Sequence, residues 1–437
     1  MRYQRIPSGL FIKNRSKLQD LILPGSSIVL HSNDEMHRNG DQNFRFRQSS
    51  DFFYLTGIDQ EKSILVMNPW HPEEKYREVL FMLKVSEEQI TWHGYRLSLE
   101  EASRVSGIRN VQWLDDYEKT LSEILYRTHH IYLNVPEHIK YKAEFETRDA
   151  RMAKKIQSLF PLHSYHRLAP VLSKLRMIKE PEEIALISTA IDITRDAFIR
   201  VLGFVKPGVM EYEVEAEISH EFIRKAATAH AYEPIIASGA NACILHYIEN
   251  NRVCNNGDLL LMDFGAEYAN YAADLTRTIP VKGKFTARQA KVYDASLRVL
   301  RGAIKLMKPG VLLSEFHAQV GQLWEEEHVG LGLYSMEDIK NHRTNTPLWQ
   351  KYYMHGTSHS IGMDVHDTFD KAEKLQPGMV LSCEPAIYIV EEGLGIRLEN
   401  DILITENGNV DLCSNIPLER EEIETLMRAQ GEKKSQG

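Results

Sequence analysis

Two stretches decide how this chain reads: LLLMDFGAEYANYAADLTRTIPV at residues 259–281 and VLSCEPAIYIVEEGLGIRLENDILIT at residues 380–405. Each is β-rich on both sides of a short turn, the pattern of a hairpin. A turn centred near Tyr268 and Ala269 sets Asp263 opposite Asp274. One centred near Glu391 and Glu392 sets Glu384 opposite Glu399. Cross-strand partners lie about 4.5–5.5 Å apart. Two carboxylates held that close repel, burial sharpens the conflict, and a bound cation removes it. Both registers assume symmetry about the turn, which a bulge would shift.

Working outward, the two stretches belong to a duplication. AIDITRDAFIRVLGFV leads into Lys206-Pro207-Gly208-Val209, and VYDASLRVLRGAIKLM leads into Lys308-Pro309-Gly310-Val311. Each turn precedes a second amphipathic run, with Val214, Ile218 and Phe222 in one and Phe316, Val320 and Leu323 in the other. His246 stands seventeen residues before Asp263, and His366 eighteen before Glu384. Gly-Asp-Leu-Leu-Leu-Met-Asp at 257–263 aligns with Gly-Met-Val-Leu-Ser-Cys-Glu at 378–384. Two structural halves facing one another across a site follow from four such matches in the same order.

If both hairpins face one cleft, four carboxylates converge with a charge of about −4, which two divalent ions balance while leaving room for a bridging hydroxide. A histidine completes the set. MHGTSHSIGMDVHD at 354–367 supplies His355, His359 and His366. The oxygen-rich donors favour Mn²⁺-type ions, with zinc or cobalt also able to bind. Singly, an aspartate at a strand end is usually a turn or cap residue and a lone histidine a satisfied structural one. Glu391-Glu392 reads as a solvated turn, and Cys254 and Cys383 as small buried hydrophobes. It is the joint occurrence that points to a metal centre.

The rest of the chain bounds the setting. Among 437 residues, 43% are hydrophobic and 26% charged, as expected of a globular chain of roughly two domains. The net charge of −9 is spread without long runs, which argues against nucleic-acid or membrane-surface binding. No apolar stretch approaches the ~18–20 residues that span a bilayer. The basic start lacks the apolar core of a signal peptide. Cys243, Cys254, Cys383 and Cys413 make no disulfide framework and no C-x-x-C pair, so a cytoplasmic location is expected. Residues 1–170 alternate short strands (26–32, 63–69, 79–85, 130–135) with helical runs (119–126, 144–160), the pattern of an α/β domain with a mixed sheet. Lys179-Glu180-Pro181-Glu182-Glu183 reads as a helix start, with proline in the first turn and acids at the N-terminal dipole. The expected domains are 1–172 and 173–437.

DFGAEYANYAADLTRTIPV, HGTSHSIGMDVHD, CEP and IRLENDILIT resemble the metal-binding motifs of the pita-bread metallopeptidases, and within them the aminopeptidase P (Xaa-Pro aminopeptidase) family of bacterial type. NFRFRQSSDFFYLTGI and TWHGYRLSLEEA resemble that family's N-terminal domain, so the likeness covers nearly the whole chain. It implies an α+β pita-bread catalytic domain with internal pseudo-twofold duplication after the α/β domain. It also implies five ligands for two metal ions: Asp263, Asp274, His359, Glu384 and Glu399, with Asp274 and Glu399 bridging. By the same resemblance His246 and His366 face the scissile region of the substrate and His355 lies beside the proline pocket; a departing amide nitrogen must be protonated, and Glu384 is the candidate catalytic group that carries the water's proton to it. Tyr388 and Arg397 support the site, and Trp92 corresponds to a tryptophan that reaches towards an active site in oligomeric relatives. Two features depart from the pattern: a shorter loop between Tyr388 and Arg397, and Ala386 where glycine is usual.

The implied activity is release of the N-terminal residue from peptides whose second residue is proline, by a homo-oligomer (dimer or tetramer). Prolidase, acting on Xaa-Pro dipeptides, and a non-catalytic binding protein on the same scaffold are the alternatives. Methionine aminopeptidase lacks a large N-terminal domain of this kind, and creatinase-like enzymes depart from the ligand set.

Overall fold

The computed structural model describes residues 3–137 and 144–435, apart from the side chains of His93 and residues 430–435. The chain divides into two compact units, Gln4–Arg176 and one made of Tyr3 with the described residues from Met177 onward. The helix Ala169–Met177 runs through the expected boundary at 172/173, and the division falls at its C-terminal end.

In the N-terminal unit the buried runs build a six-stranded mixed sheet. Its order is Asn110–Trp113, Glu78–Met82, Ile64–Met67, Ser26–His31, His130–Leu133 and Ser164–Arg167. The outer pairings on both sides are parallel, and the two involving Ile64–Met67 are antiparallel. Ser26–His31 and Ile64–Met67 are buried along their whole length, which is why their apolar residues, 28–30 and 64–67, run consecutively rather than alternate. Val29, Val66, Val79, Phe81 and Ile131 pack on Tyr117, Leu121 and Ile124 of the helix Tyr117–Leu125 and on Ile156 of Arg148–Leu159. The two edge strands carry half-exposed polar residues and so show no apolar signal in the sequence.

In the second unit Pro181 opens a 22-residue helix, Pro181–Leu202, and the Glu183 carboxylate accepts the Glu180 N–H at 2.9 Å. Its partner is Glu211–Arg224, on which Val214, Ile218 and Phe222 are buried. The second helix pair is Ala287–Leu306 with Leu313–Leu331, where Phe316, Val320 and Trp324 carry the buried line and Leu323 stays half-buried. Gly208 and Gly310 take positive φ in the two Lys-Pro-Gly turns, and their N–H groups donate to Cys254 and Leu375 carbonyls respectively. The duplication extends to the strands. Each half has an antiparallel ladder that breaks off at a carboxylate, on its last residue Asp263 in one and just past it at Glu384 in the other, before a separate short pairing: Leu259–Asp263 then Ala266–Tyr268, and Val380–Cys383 then Ala386–Ile389. No helix among the described residues is long and apolar enough to cross a membrane.

Candidate metal centre

The second hairpin keeps its register across the break. Cys383 pairs with Asn400 and Ala386 with Arg397, so Glu384 stands across from Glu399. Pro385, which has no N–H to offer the ladder, occupies the gap.

The first hairpin differs from expectation. Asp263 pairs with Thr276, not Asp274. The turn is centred one residue further on, at Ala269 and Asn270, both with positive φ, and Tyr268 pairs with Tyr271. Moving the centre by one residue moves every partner by two. Asp274 still reaches Asp263, but through Tyr232, whose hydroxyl lies 2.6 Å from Asp263 Oδ1 and 2.5 Å from Asp274 Oδ1.

The histidine arrives on a segment laid along the strand Val380–Cys383. Ile361 N–H donates to Val380, Ser382 N–H to His359, and Glu384 N–H to Thr357. Ser382 Oγ accepts the His359 N–H at 3.0 Å. This places His359 Nε2 at 3.3 Å from Asp274 Oδ2 and 3.7 Å from Glu384 Oε1. Beneath the segment, Lys179 and Asp367 form an ion pair at 3.2 Å with both side chains 1% exposed, and Lys179 Nζ donates to Ser360 at 3.3 Å.

Ligand atoms of Asp274, His359 and Glu399 all lie within 4.8 Å of one another. Among the described residues, the cationic side chains in ion pairs with the four carboxylates are Arg397, on Asp263, and His359, on Asp274 and Glu384. Burial raises the Asp274, Glu384 and Glu399 carboxyls and their mutual repulsion adds to it; Glu384 is raised to about 7 although His359 and Arg397 pull it down. Burial opposes a charge on His359, but the hydrogen bond to Asp274 and the nearby carboxylates outweigh it and raise the ring to about 9. One tyrosine hydroxyl has one proton, so Tyr232 serves one of its two carboxylates and leaves the other facing oxygen. An excess of buried oxygen acceptors converging on one point fits divalent cations.

Around this set, Arg397 donates to Asp263 Oδ2 at 2.5 Å, Thr276 Oγ1 at 3.1 Å and the Tyr388 hydroxyl at 2.8 Å. Thr276 Oγ1 in turn donates to Glu399 at 2.6 Å. The Tyr388 hydroxyl meets His355 Nε2 at 2.9 Å. Burial, with the Arg397 charge second, lowers His355 to about 3, so its ring is neutral. His366 is exposed and packs edge-on against His359 with ring centroids 4.4 Å apart. His246 is exposed on the segment after the short helix Gly239–Cys243. Trp92 is 77% exposed on the helix Glu87–His93 of the other unit. Sequence reading missed Tyr232, Thr276 and Asp401. Asp401 is fully buried, is raised well above the usual carboxylate range by burial and then by Asp274, and accepts the Asp274 N–H at 3.1 Å.

Residues 185–406 match metallopeptidase family M24, and residues 11–132 match the aminopeptidase P N-terminal domain. An Xaa-Pro aminopeptidase of Haemophilus influenzae is 34% identical over 97% of this chain and 98% of its own. The human Xaa-Pro aminopeptidase 3 is 30% identical over 92% of this chain and 80% of its own. Among solved structures, an aminopeptidase of Pseudomonas aeruginosa superposes with a TM-score of 0.89 at 30% identity, covering 98% of this chain and 99% of that one. Aminopeptidase P of Escherichia coli, with the inhibitor Pro-Leu, gives 0.86 at 33%, covering 98% and 100%. With an N-terminal α/β unit, a duplicated pita-bread unit and a divalent-metal donor set, the chain belongs to the aminopeptidase P group of metallopeptidase family M24.

Proposed function

We propose that the chain removes the N-terminal residue from peptides with proline at the second position, using two divalent ions held by Asp263, Asp274, His359, Glu384 and Glu399. The observation that carries this reading is the convergence of four carboxylates and His359 on one cleft, in a chain that aligns almost end to end with Xaa-Pro aminopeptidases. The oxygen-rich donors favour Mn²⁺. Zinc or cobalt fits the same set, and an Escherichia coli relative exists in a zinc-substituted form in complex with product.

Divalent ions held by Asp263, Asp274, His359, Glu384 and Glu399 would supply an acidified water and a polarised scissile carbonyl. The remaining work falls to side chains. Glu384 takes the proton of the attacking water and returns it to the prolyl nitrogen, because the amine leaves only when protonated. His246 and His366 donate to the carbonyl oxygen as it gains charge. Arg397 fixes Asp263, and through the Tyr388 hydroxyl it fixes His355. Proline has no N–H and a locked φ, so it is recognised by shape, against the neutral ring of His355. In a homo-oligomer, dimer or tetramer, the exposed Trp92 contributes to the substrate side. The four free thiols favour the cytoplasm.

The test is hydrolysis of an Xaa-Pro-Xaa tripeptide by metal-stripped protein, with and without Mn²⁺, alongside the Xaa-Pro dipeptide. Manganese-dependent release of the first residue from the tripeptide is the expected result. Cleavage of the dipeptide alone points instead to prolidase chemistry, and cleavage of neither in metal-loaded protein to a binding role.

A further inference from the structure

His246 is carried by a segment with almost no core of its own. Among residues 243–249 only Tyr247 is buried, while Ile244, His246, Ile248 and Glu249 are exposed. Such a segment needs another source of order if a side chain on it is to hold a fixed position.

Most of that order comes from one carboxylate. Glu211, at the start of the helix Glu211–Arg224, is 0% exposed. Its Oε1 accepts Ser238 N–H at 2.7 Å, Ser238 Oγ–H at 2.7 Å and Asn241 Nδ2–H at 3.2 Å. Its Oε2 accepts the Tyr247 hydroxyl at 2.7 Å and the Arg252 N–H at 2.9 Å. One oxygen therefore grips the point where the segment leaves the strand Ile235–Ser238, and the other grips both Tyr247, adjacent to His246, and the point where the segment returns. Glu211 N–H closes the return by donating to the Arg252 carbonyl at 2.9 Å. Asn250 adds a second clasp one helical turn on, donating to Glu215 and to the Pro234 carbonyl, both at 2.9 Å. Five donors at one buried carboxylate at a helix N-terminus make a rigid clamp, since each donor lost leaves a buried acceptor site unmatched.

The duplication isolates the feature. Counting from the two Lys-Pro-Gly turns, Glu211 corresponds to Leu313 in the second half. The charge is present only in the half whose exposed segment bears His246.

We propose that Glu211, acting through Tyr247, is a positioning residue that holds His246 at the scissile bond. This deepens the proposed function and rests on its placing of His246 at the scissile carbonyl. Glu211→Gln keeps the shape but puts an amide N–H₂ opposite one of the two groups of donors. Tyr247→Phe removes only the contact next to His246, and serves if the first variant fails to fold.

The experiment measures kcat and KM on an Xaa-Pro-Xaa tripeptide for Mn²⁺-loaded full-length protein. It compares His246→Ala, Glu211→Gln and Tyr247→Phe, and combines each of the last two with His246→Ala. Metal content and hydrogen exchange of residues 244–252 are recorded in parallel. Expected are a roughly tenfold fall in kcat for Glu211→Gln, in line with the sensitivity of rate to misplacements of about 1 Å, faster exchange across the segment and unchanged metal content. In the His246→Ala background the same substitutions have no further effect on kcat, because the group they position is gone. Losses that multiply with that of His246→Ala, or full activity in folded Glu211→Gln or Tyr247→Phe, overturn the proposal. A His246→Ala variant that cleaves the tripeptide as fast as the wild type overturns the role of His246 itself, and the positioning role with it.

Discussion

Gly265 couples backbone packing to the candidate metal centre. A Cβ at this position would lie 1.8 Å from the carbonyl oxygen of Ala273 and 3.2 Å from the Tyr232 ring. Real Cβ contacts are essentially never closer than 3.0 Å, so Gly265→Ala forces the two strands apart by about 1.2 Å. The displaced residues are the neighbours of Asp263 and Asp274, and Tyr232, which touches both, moves with them. Overpacking of this kind costs about 1–3 kcal/mol. In a unit of this size each kcal/mol lowers Tm by roughly 2–4 °C. Two displaced carboxylates should lower divalent-ion affinity at least as much as loss of an outer partner does, roughly 10–100-fold. Thermal unfolding of metal-stripped protein reads the first effect and titration calorimetry with Mn²⁺ the second. Gly330→Ala is the control: it lies in the helix Leu313–Leu331, and its added Cβ meets nothing within 4 Å. That variant should gain about 0.5–1 kcal/mol. Gly265→Ala with unchanged Tm and wild-type metal affinity would refute the argument that this glycine sets the hairpin.

Other perturbations follow from the same geometry. Arg397→Lys keeps the charge but loses the fork that reaches Asp263, Thr276 and Tyr388 together; it should cost about 1–3 kcal/mol and lower kcat at least tenfold, read by urea unfolding and tripeptide hydrolysis. Glu183, 2% exposed, is raised to about 7 by burial, so the folded state holds a proton that the unfolded chain releases near 4.5. Its contribution is present below pH 4.5 and is lost as pH rises through 7, a loss on the order of 3 kcal/mol. Urea unfolding of metal-stripped protein at pH 5 and pH 8 should therefore show a larger decline in the wild type than in Glu183→Gln, which keeps only the decline due to the other buried carboxyls; equal declines in both would contradict the burial argument.

The sequence carried the duplication, both hairpins and the residues that meet in the cleft, because these rest on local patterns: turn residues, strand composition and charge at strand ends. The Glu384–Glu399 register was legible since a symmetric turn and Pro385 leave little choice. The Asp263–Asp274 register was not. Its turn uses left-handed Ala269 and Asn270 rather than a glycine, so Asn270 is the one mark of the true centre in the composition. Tyr232, Thr276 and Asp401 went unrecognised for a different reason. Tyr232 comes from a distant segment, and the other two look like ordinary strand residues until their partners are in place. Glu211 did leave a trace, as the position where the internal repeat exchanges leucine for a charge.

The central claim is that the converging carboxylates hold two divalent ions, and metal content tests it most directly. Protein equilibrated with Mn²⁺ and freed of excess should retain two ions per chain, and Asp274→Ala no more than one, with tripeptide hydrolysis lost in step. Full loading and full activity in Asp274→Ala would contradict the account.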